Sequence, residues 1–230
     1  MSSNALPAIA AVIPAAGIGK RMQTNIPKQY LTLHGKTILE HSAERLMSLP
    51  AVGKLWLALA ADDPYFDKTP LAHADIQRAK GGAERMHSVL NALNFIDEHQ
   101  FPWVLVHDAA RPLVRRADIE QLIARCLDAG EGGILACRVR DTMKRGENSV
   151  AETVSREHLW HALTPQFFPT KMLRAALHDA IQAGVNVTDE ASAMEWAGHK
   201  VLLIEGHSDN IKITQPADLA LAAFYLEQTE

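Results

Sequence analysis

Residues 11–30 read AVIPAAGIGKRMQTNIPKQY, an apolar run that leads into a loop of small and basic residues. A Walker loop requires Gly-x-x-x-x-Gly-Lys-Ser/Thr, but no glycine stands five residues before Gly19, and Arg21 stands where the hydroxyl belongs. A dinucleotide-binding loop requires a third glycine three residues after Gly19, and Met22 occupies that place. The stretch therefore excludes the first template and argues against the second.

The composition of this loop nevertheless favours an anion. Small residues let a ligand approach backbone N–H groups, and a helix beginning just beyond the loop would add its positive end. Arg21 offers a planar fork and Lys28 a compact charge, so the two could bind different oxygens of one triphosphate, with Lys20 beside them. A plain surface loop with solvated charges is the alternative. The small residues are Ala15, Ala16, Gly17 and Gly19.

Outward from this loop, short apolar runs alternate with helical patterns along the chain. A capping box, Thr37-x-x-Glu40, opens a predicted helix over 37–49, and i, i+3, i+4, i+7 spacing continues from Met86, Ile119 and Leu219. Alternating strands and helices predict a doubly wound α/β fold with a mostly parallel sheet, whose ligands bind beyond the carboxyl ends of the strands. The predicted strands are IAAVI (9–13), VGKLWLALA (52–60), WVLVHD (103–108), GGILACRV (132–139) and KVLLIEG (200–206).

One segment, residues 139–160, breaks this alternation. It is polar, and its Gly146-Glu147-Asn148-Ser149 stretch is a turn signal between two alternating flanks, so we predict a protruding β-hairpin arm. A hairpin too exposed to have its own core is best explained by packing on a second subunit, which predicts a homodimer with shared sites. The rest of the chain shows no linker, so residues 1–230 are predicted to form a single domain.

Bulk composition limits the classes of partner. A net charge of −4 gives no general attraction to nucleic acid or membrane, so an anionic ligand must be met by local positive charge. Two cysteines, Cys126 and Cys137, are too few for a disulfide framework and are predicted to be reduced. No stretch of about 18 apolar residues and no leader pattern occurs, which favours a cytoplasmic protein.

Two aspartates follow predicted strands and are candidate metal ligands. Asp108 ends WVLVHD, where a carboxylate could hold Mg²⁺ without a dedicated cage, although pairing with Arg111 is an equally simple role. Asp209, in HSDNIKIT, could serve the same metal or act as a turn residue. Thr188 is read first as the N-cap of the helix ASAMEW. The histidines show no metal spacing, and His107 is predicted to be structural.

A set of motifs in order resembles one enzyme family, the 2-C-methyl-D-erythritol 4-phosphate cytidylyltransferases of the non-mevalonate isoprenoid pathway. The resemblance runs through nearly the whole chain, and the later motifs distinguish it from related sugar-phosphate enzymes that share the opening loop. One departure is Ala83, where some relatives carry an acid. The motifs are PAAGIGKRM with PKQY, GGAERMHSV, VHDAARP, DTMK, LWHALTPQ, TDEASAME and DNIKIT.

The resemblance implies a single Rossmann-like nucleotidyltransferase domain that transfers CMP from CTP to 2-C-methyl-D-erythritol 4-phosphate and releases pyrophosphate. It implies a requirement for Mg²⁺ on Asp108 and Asp209, and a homodimer joined by the arm. Arg21 and Lys28 would stabilise the reacting α-phosphate. The nucleotide would be bound by Ala15, Ala16, Gly17, Gly19, Lys20, Gly82 and Ser88. The phosphosugar would be bound by Thr142, Thr164, Thr188, Lys212 and, from the partner's arm, Arg156.

Elementary chemistry agrees with this reaction, and three rival readings remain. A phosphate acceptor is already anionic at pH 7, so the lack of a catalytic triad or base dyad is consistent with it. A cytidylyltransferase for another phosphosugar alcohol, such as ribitol 5-phosphate, would share the nucleotide half. An NAD(P)-dependent oxidoreductase would use a similar sheet, but Met22 interrupts its loop. A nucleotide-binding regulator would bind CTP without turnover.

Overall fold

The computed structural model of the chain describes residues 6–17 and 26–229, and its secondary structure follows the alternation of the sequence. The strands are β1 (Ile9–Pro14), β2 (Thr32–Leu33), β3 (Lys36–Thr37), β4 (Val52–Leu59), β5 (Ile76–Lys80), β6 (Trp103–Val106), β7 (Gly133–Arg138), β8 (Met143–Gly146), β9 (Val150–Val154), β10 (Trp160–Pro169) and β11 (Leu202–Glu205). The α-helices are α1 (Ile38–Met47), α2 (Arg85–Leu93), α3 (Arg116–Ala129), α4 (Thr170–Gln182), α5 (Glu190–Trp196) and α6 (Pro216–Thr229).

In the described part of the chain, the main sheet has seven strands in the order β11-β7-β10-β6-β1-β4-β5. Strand β1 pairs in parallel with β4 and β6, and β4 with β5, whereas β10 runs antiparallel to both β6 and β7. The predicted doubly wound, mostly parallel α/β fold is confirmed. Because β1 is an interior strand that runs parallel to both of its neighbours, the loop that follows it opens at the carboxyl edge of the sheet.

The sheet is buried on both faces, which explains why its strands read as continuous apolar runs. Along β1, Ile9, Ala11 and Ile13 pack into one apolar cluster, and Ala10 and Val12 pack into another on the opposite face. All five are fully buried. Strand β1 is therefore fixed from both sides, which sets the point where the loop after it begins.

Helix α1 shows how local sequence sets an element boundary. The Thr37 hydroxyl accepts a hydrogen bond from Glu40 N at 3.1 Å, and the Glu40 carboxylate accepts one from Thr37 N at 2.8 Å. This reciprocal pair satisfies two backbone donors that a helix start otherwise leaves unpaired. The predicted capping box is confirmed, and the helix ends at Met47, two residues before the predicted end.

Two strands of the main sheet escaped sequence reasoning for identifiable reasons. Strand β5 lies at the sheet edge and its sequence, IQRAK, is largely polar because one face meets solvent. Strand β10 contains Pro165 and ends at Pro169, residues that normally argue against a strand. Its pairing with β7 shifts register between Ala162 and Gln166, and that irregularity accommodates the proline.

The arm is a two-stranded hairpin that pairs with itself. Strands β8 and β9 are antiparallel, joined around the predicted Gly146–Ser149 turn, and Val150 at the start of β9 is 63% exposed. The observed strands cover a shorter range than the predicted 139–160, because the flanking residues connect the hairpin to β7 and β10. The described helices include none long and apolar enough to span a bilayer.

Candidate active site

A cavity of about 210 Å³ lies at the carboxyl edge of the sheet, beside the ends of β1 and β6. It brings together eight of the residues that sequence analysis assigned to the site. Loops that follow parallel strands meet at this edge, which is why residues distant in sequence converge there. Those eight are Ala15, Ala16, Gly17, Lys28, Gly82, Ser88, Asp108 and Lys212.

Two glycines allow the loops around this cavity to pack closely. A Cβ on Gly81 would lie 2.2 Å from the Ala16 Cβ, and one on Gly82 would lie 2.3 Å from the His87 Cβ. The Gly82 N–H donates to the Ser88 hydroxyl at 3.0 Å, which ties the loop to the first turns of α2. The close packing of these loops therefore requires glycine at both positions.

Gln29 and Lys28 connect the opening loop to the rest of the site. The buried Gln29 side chain donates to the Ala15 carbonyl oxygen at 2.6 Å, and Lys28 Nζ donates to the Ile213 carbonyl oxygen at 2.8 Å. Both residues line the cavity. The Ile213 carbonyl therefore sets the position of the Lys28 ammonium group, and the Ala15 carbonyl sets the position of the neighbouring Gln29 side chain.

Asp108 is surrounded by cations. Its Oδ1 accepts from Arg85 Nε at 3.0 Å, while its Oδ2 lies 2.9 Å from Lys212 Nζ and 3.4 Å from Arg111 Nε. Burial opposes ionisation, but the three cations outweigh it and lower the pKa of Asp108 well below its usual range. The carboxylate is therefore charged at every physiological pH.

Arg85 links Asp108 to a second carboxylate behind the cavity wall. Its terminal nitrogens donate to both oxygens of Glu190, at 2.5 and 3.0 Å, and Glu190 is completely buried. Although burial alone would lower it, the two carboxylates raise the pKa of Arg85 above its ordinary value. Glu190 begins α5 and Arg85 begins α2, so one guanidinium joins the starts of two helices.

Thr164 lies beneath Asp108 and connects it to His107. The Thr164 hydroxyl accepts from the Asp108 N–H at 3.0 Å and lies 2.9 Å from His107 Nδ1, while His107 Nε2 lies 2.9 Å from the Arg111 carbonyl oxygen. Since a carbonyl only accepts, Nε2 carries the proton and Nδ1 accepts from the threonine hydroxyl. The structural role predicted for His107 is confirmed.

The buried His107 should make the fold sensitive to acid. Burial lowers the pKa of His107 to about 4, whereas an unfolded histidine titrates near 6.5. As the pH falls from about 6.5 to 4, the unfolded chain binds this proton before the folded chain does. The contribution of His107 to the free energy of unfolding is therefore fully present above this pH range and is lost within it. In urea unfolding, His107 should lower the free energy of unfolding by ~2 kcal/mol at pH 5 relative to pH 7.

His107→Gln tests that assignment, because the amide can replace the two hydrogen bonds but does not titrate. The difference in unfolding free energy between pH 7 and pH 5 should shrink by about the same amount, while His99→Gln, at an exposed position, should leave it unchanged. An unaltered pH difference in His107→Gln would exclude His107 as the source.

Beside the first cavity lies a second, of about 520 Å³, which is rich in positive charge. Lys212 lines both, so the two cavities adjoin at this residue. Arg111, Arg138 and Arg140 line the second cavity, against one carboxylate from Asp141. The arrangement suits two anions placed on either side of Lys212.

Other residues assigned from the resemblance lie elsewhere. Thr142 and Arg156 are exposed at the base of the arm, where Arg156 donates to the Arg140 carbonyl oxygen. Thr188 precedes α5, but the N-cap is Asp189, whose carboxylate accepts from Ser192 N at 2.9 Å. The prediction that Thr188 caps this helix is wrong, because the next residue reaches the same backbone donor.

The described residues offer no cluster of three or more histidine, cysteine or acidic side chains that could enclose a metal. Asp108 suits Mg²⁺ as a single carboxylate at the cavity wall, since this ion is often bound by one or two carboxylates together with substrate phosphates. Asp209 is not among the cavity-lining residues: its Oδ2 pairs with Arg115, and its Oδ1 is buried without a hydrogen-bond partner. The geometry supports the first ligand more strongly than the second.

Three assigned residues, Gly19, Lys20 and Arg21, lie outside the described residues, as does the helix start expected just beyond the loop. Sequence reasoning also missed Gln29, Arg85 and Glu190. Gln29 and Arg85 lie inside the quoted motifs, but their partners are 14 and 105 residues away. The acidic residue at the start of α5 and the arginine at the start of α2 carried no local sign that they pair.

Known proteins are similar to this chain in both sequence and fold. The profile of the 2-C-methyl-D-erythritol 4-phosphate cytidylyltransferase family matches residues 9–228. Proteins of that name from Vibrio vulnificus and Pseudoalteromonas translucida are 53% and 54% identical, covering 98% and 97% of this chain and 98% and 93% of their own. The Francisella tularensis crystal structure of that name superposes with a TM-score of 0.82 at 37% identity, covering 95% of this chain and 99% of that one. The chain belongs to the 2-C-methyl-D-erythritol 4-phosphate cytidylyltransferase family.

Proposed function

We propose that the chain transfers CMP from CTP to 2-C-methyl-D-erythritol 4-phosphate, with release of pyrophosphate. Family membership over nearly the full chain supports the reaction, and one observation carries the site assignment. That observation is the pair of adjoining cavities that share Lys212. One cavity borders the small-residue loop and suits a nucleotide, and the other is cationic and suits a phosphorylated acceptor.

The chemistry of this transfer needs positive charge more than a base. The attacking phosphate is already ionised at neutral pH, so no side chain has to remove a proton from it. The obstacle is repulsion between two phosphates and the charge that grows on the oxygens around the α-phosphorus. Lys28 at the first cavity and Lys212 between the two cavities would reduce the repulsion between the phosphates and stabilise the growing charge. Arg21 is assigned to the same role.

Asp108 is the residue we assign to the metal. Bound Mg²⁺ supplies positive charge to the phosphate oxygens of the nucleotide. Asp108 contributes a fixed carboxylate at the cavity wall, and Thr164 fixes its backbone through the hydrogen bond to Asp108 N. The assignment of Asp209 to the same ion stays a prediction that requires its carboxylate to leave Arg115.

The base and ribose are assigned to the wall formed by Ala15, Ala16, Gly82 and Ser88. Its backbone polar groups are approachable because the side chains are small, which suits recognition of a base edge by the main chain. Ala83 lines the same cavity and brings no carboxylate to it. Any contact made there has to come from its backbone.

A direct assay tests the reaction. Purified protein is supplied with CTP, Mg²⁺ and one phosphosugar at a time, and pyrophosphate release is followed. Release with 2-C-methyl-D-erythritol 4-phosphate and none with ribitol 5-phosphate is expected. The reverse preference would favour the ribitol 5-phosphate alternative, and CTP binding without release would favour a regulator. Replacing CTP with other triphosphates tests cytosine selection.

The arm supports a homodimer with shared sites. Its strands pair with each other, and Thr142 and Arg156 lie away from the first cavity of their own chain. A self-paired hairpin is marginally stable in water, so a second subunit would stabilise it. We assign Arg156 to the acceptor site of the partner, across a two-fold axis.

Subunit mixing tests this sharing. Lys28→Ala breaks the site of its own chain, whereas Arg156→Ala would break the site of its partner. A mixed dimer of the two variants would contain one intact site, so mixing equal amounts should restore about a quarter of wild-type activity. Mixing Lys28→Ala with Asp108→Asn, both in one cavity, should restore none. Failure of the first mixture to recover, with subunit exchange verified, would contradict shared sites.

A further inference from the structure

Arg85 lines the first cavity but has no role in the site assignments above. Arg85 donates to one carboxylate through Nε and to another through both terminal nitrogens, so its guanidinium is fixed in one plane by Asp108 and Glu190. Such bidentate pairing fixes geometry as well as charge. The placement is more specific than burial of an ion pair requires.

The charges around Asp108 bear on metal binding. Arg85, Lys212 and Arg111 contact this carboxylate, and both of its oxygens have a cationic partner. A divalent cation approaching Asp108 would be repelled by three positive groups within a few ångströms of the same oxygens. Negative charge from a triphosphate in the cavity would offset that repulsion.

We propose that Arg85 is a positioning residue for Asp108: anchored by Glu190, it fixes the Asp108 carboxylate at the cavity wall and prevents it from binding a divalent cation before the nucleotide is present. This inference rests on the proposed function and deepens it. The metal enters the site together with the triphosphate, and Arg85 sets the orientation of the carboxylate that receives it. Glu190 acts one step further back, by holding Arg85.

The geometry separates this role from simple stabilisation. Arg85→Met alone would leave Glu190 as a buried, uncompensated charge and would destabilise the fold for that reason. The double variant Arg85→Met/Glu190→Met removes both charges of the pair and replaces them with apolar side chains of similar length, which often preserves stability. The site then lacks the contact to Asp108 and the positive charge that Arg85 brings to the cavity lining.

Binding of Mn²⁺ alone tests whether Asp108 can bind a divalent cation without the nucleotide. The electron paramagnetic resonance signal of free Mn²⁺ measures this binding in the absence of substrate and turnover. The wild-type protein should leave the signal unchanged in the absence of nucleotide. The double variant should bind Mn²⁺ at least about tenfold more tightly, because one of the three repelling cations is gone. Its kcat with CTP and Mg²⁺ should fall by about tenfold, because the group that orients Asp108 is missing. Binding and turnover would thus change in opposite directions, which loss of stability does not produce.

Arg85→Lys separates the effect of the positive charge at position 85 from the effect of orienting the Asp108 carboxylate. This variant also tests the proposal if the double variant does not fold. Lysine retains the positive charge but offers one donor centre in place of the planar fork. Mn²⁺ binding should stay as weak as in the wild type, while kcat falls by about tenfold in a protein that remains folded at the assay temperature. A folded Arg85→Lys protein with wild-type kcat would overturn the positioning role.

A matched control uses an arginine–glutamate pair away from the site. Arg174 and Glu98 pair at 2.8 Å, and Arg174 also donates to two backbone carbonyls. Arg174→Met/Glu98→Met should change neither Mn²⁺ binding nor kcat. Tight Mn²⁺ binding by nucleotide-free wild type would overturn the inference and leave the proposed function intact, whereas absence of pyrophosphate release by wild type would count against the function itself.

Discussion

Lys28→Ala is expected to lower kcat by more than about a hundredfold while the protein stays folded. The ammonium group lies at the cavity wall, fixed by its hydrogen bond to the Ile213 carbonyl oxygen. Removing one preorganised electrostatic stabiliser from a transition state commonly costs a hundredfold to a thousandfold in rate. Initial rates of pyrophosphate release at saturating CTP and acceptor measure the effect.

Two further variants isolate the charge of Lys28. Lys28→Arg keeps the charge with a different shape and should recover part of the lost rate. Lys36→Ala removes an exposed lysine that pairs with Glu44 on the surface and should leave kcat unchanged. Near-normal kcat in Lys28→Ala would remove this residue from the mechanism.

Asp108→Asn should reduce both stability and activity. The substitution leaves Arg85, Arg111 and Lys212 clustered without the carboxylate that they share. Breaking a buried ion pair from one side typically costs about 3–5 kcal/mol, because the remaining charges lose their compensation. Urea unfolding at pH 7 should show a loss of this order, and kcat should fall by at least about a hundredfold because the assigned metal ligand is gone.

The control for this substitution is a carboxylate with an ordinary surface partner. Asp75 is 81% exposed and pairs with Lys54, so Asp75→Asn should change the unfolding free energy by less than about 1 kcal/mol. If Asp108→Asn were as stable as Asp75→Asn and fully active, neither the cation cluster nor the metal assignment would hold.

Local patterns predicted the parts of the fold that local physics determines. The capping box at Thr37, the helical spacing after Met86 and the turn at Gly146–Ser149 all depend on residues within a few positions of one another. Strand β5 escaped because an edge strand needs little apolar surface. Strand β10 escaped because Pro165 is tolerated only where pairing with β7 is irregular, and Pro169 only at the strand end.

The candidate site was predictable where a motif lies in one loop and not where a contact spans the chain. Lys28, Gly82 and Asp108 follow strands and converge at one cavity, as the parallel sheet requires. The contact between Arg85 and Glu190 depends on how α2 and α5 pack, which no short window of sequence encodes. Asp209 also follows a strand, yet it pairs with Arg115, because position at a strand end does not determine where a side chain points.

A crystal structure with CTP and Mg²⁺ tests the nucleotide assignment most directly. We expect the triphosphate beside the loop that contains Gly17, with Lys28 Nζ within hydrogen-bonding distance of a phosphate oxygen and the metal in contact with Asp108. A triphosphate bound away from the segment between Gly17 and Lys28 would contradict the assignment of this cavity to the nucleotide.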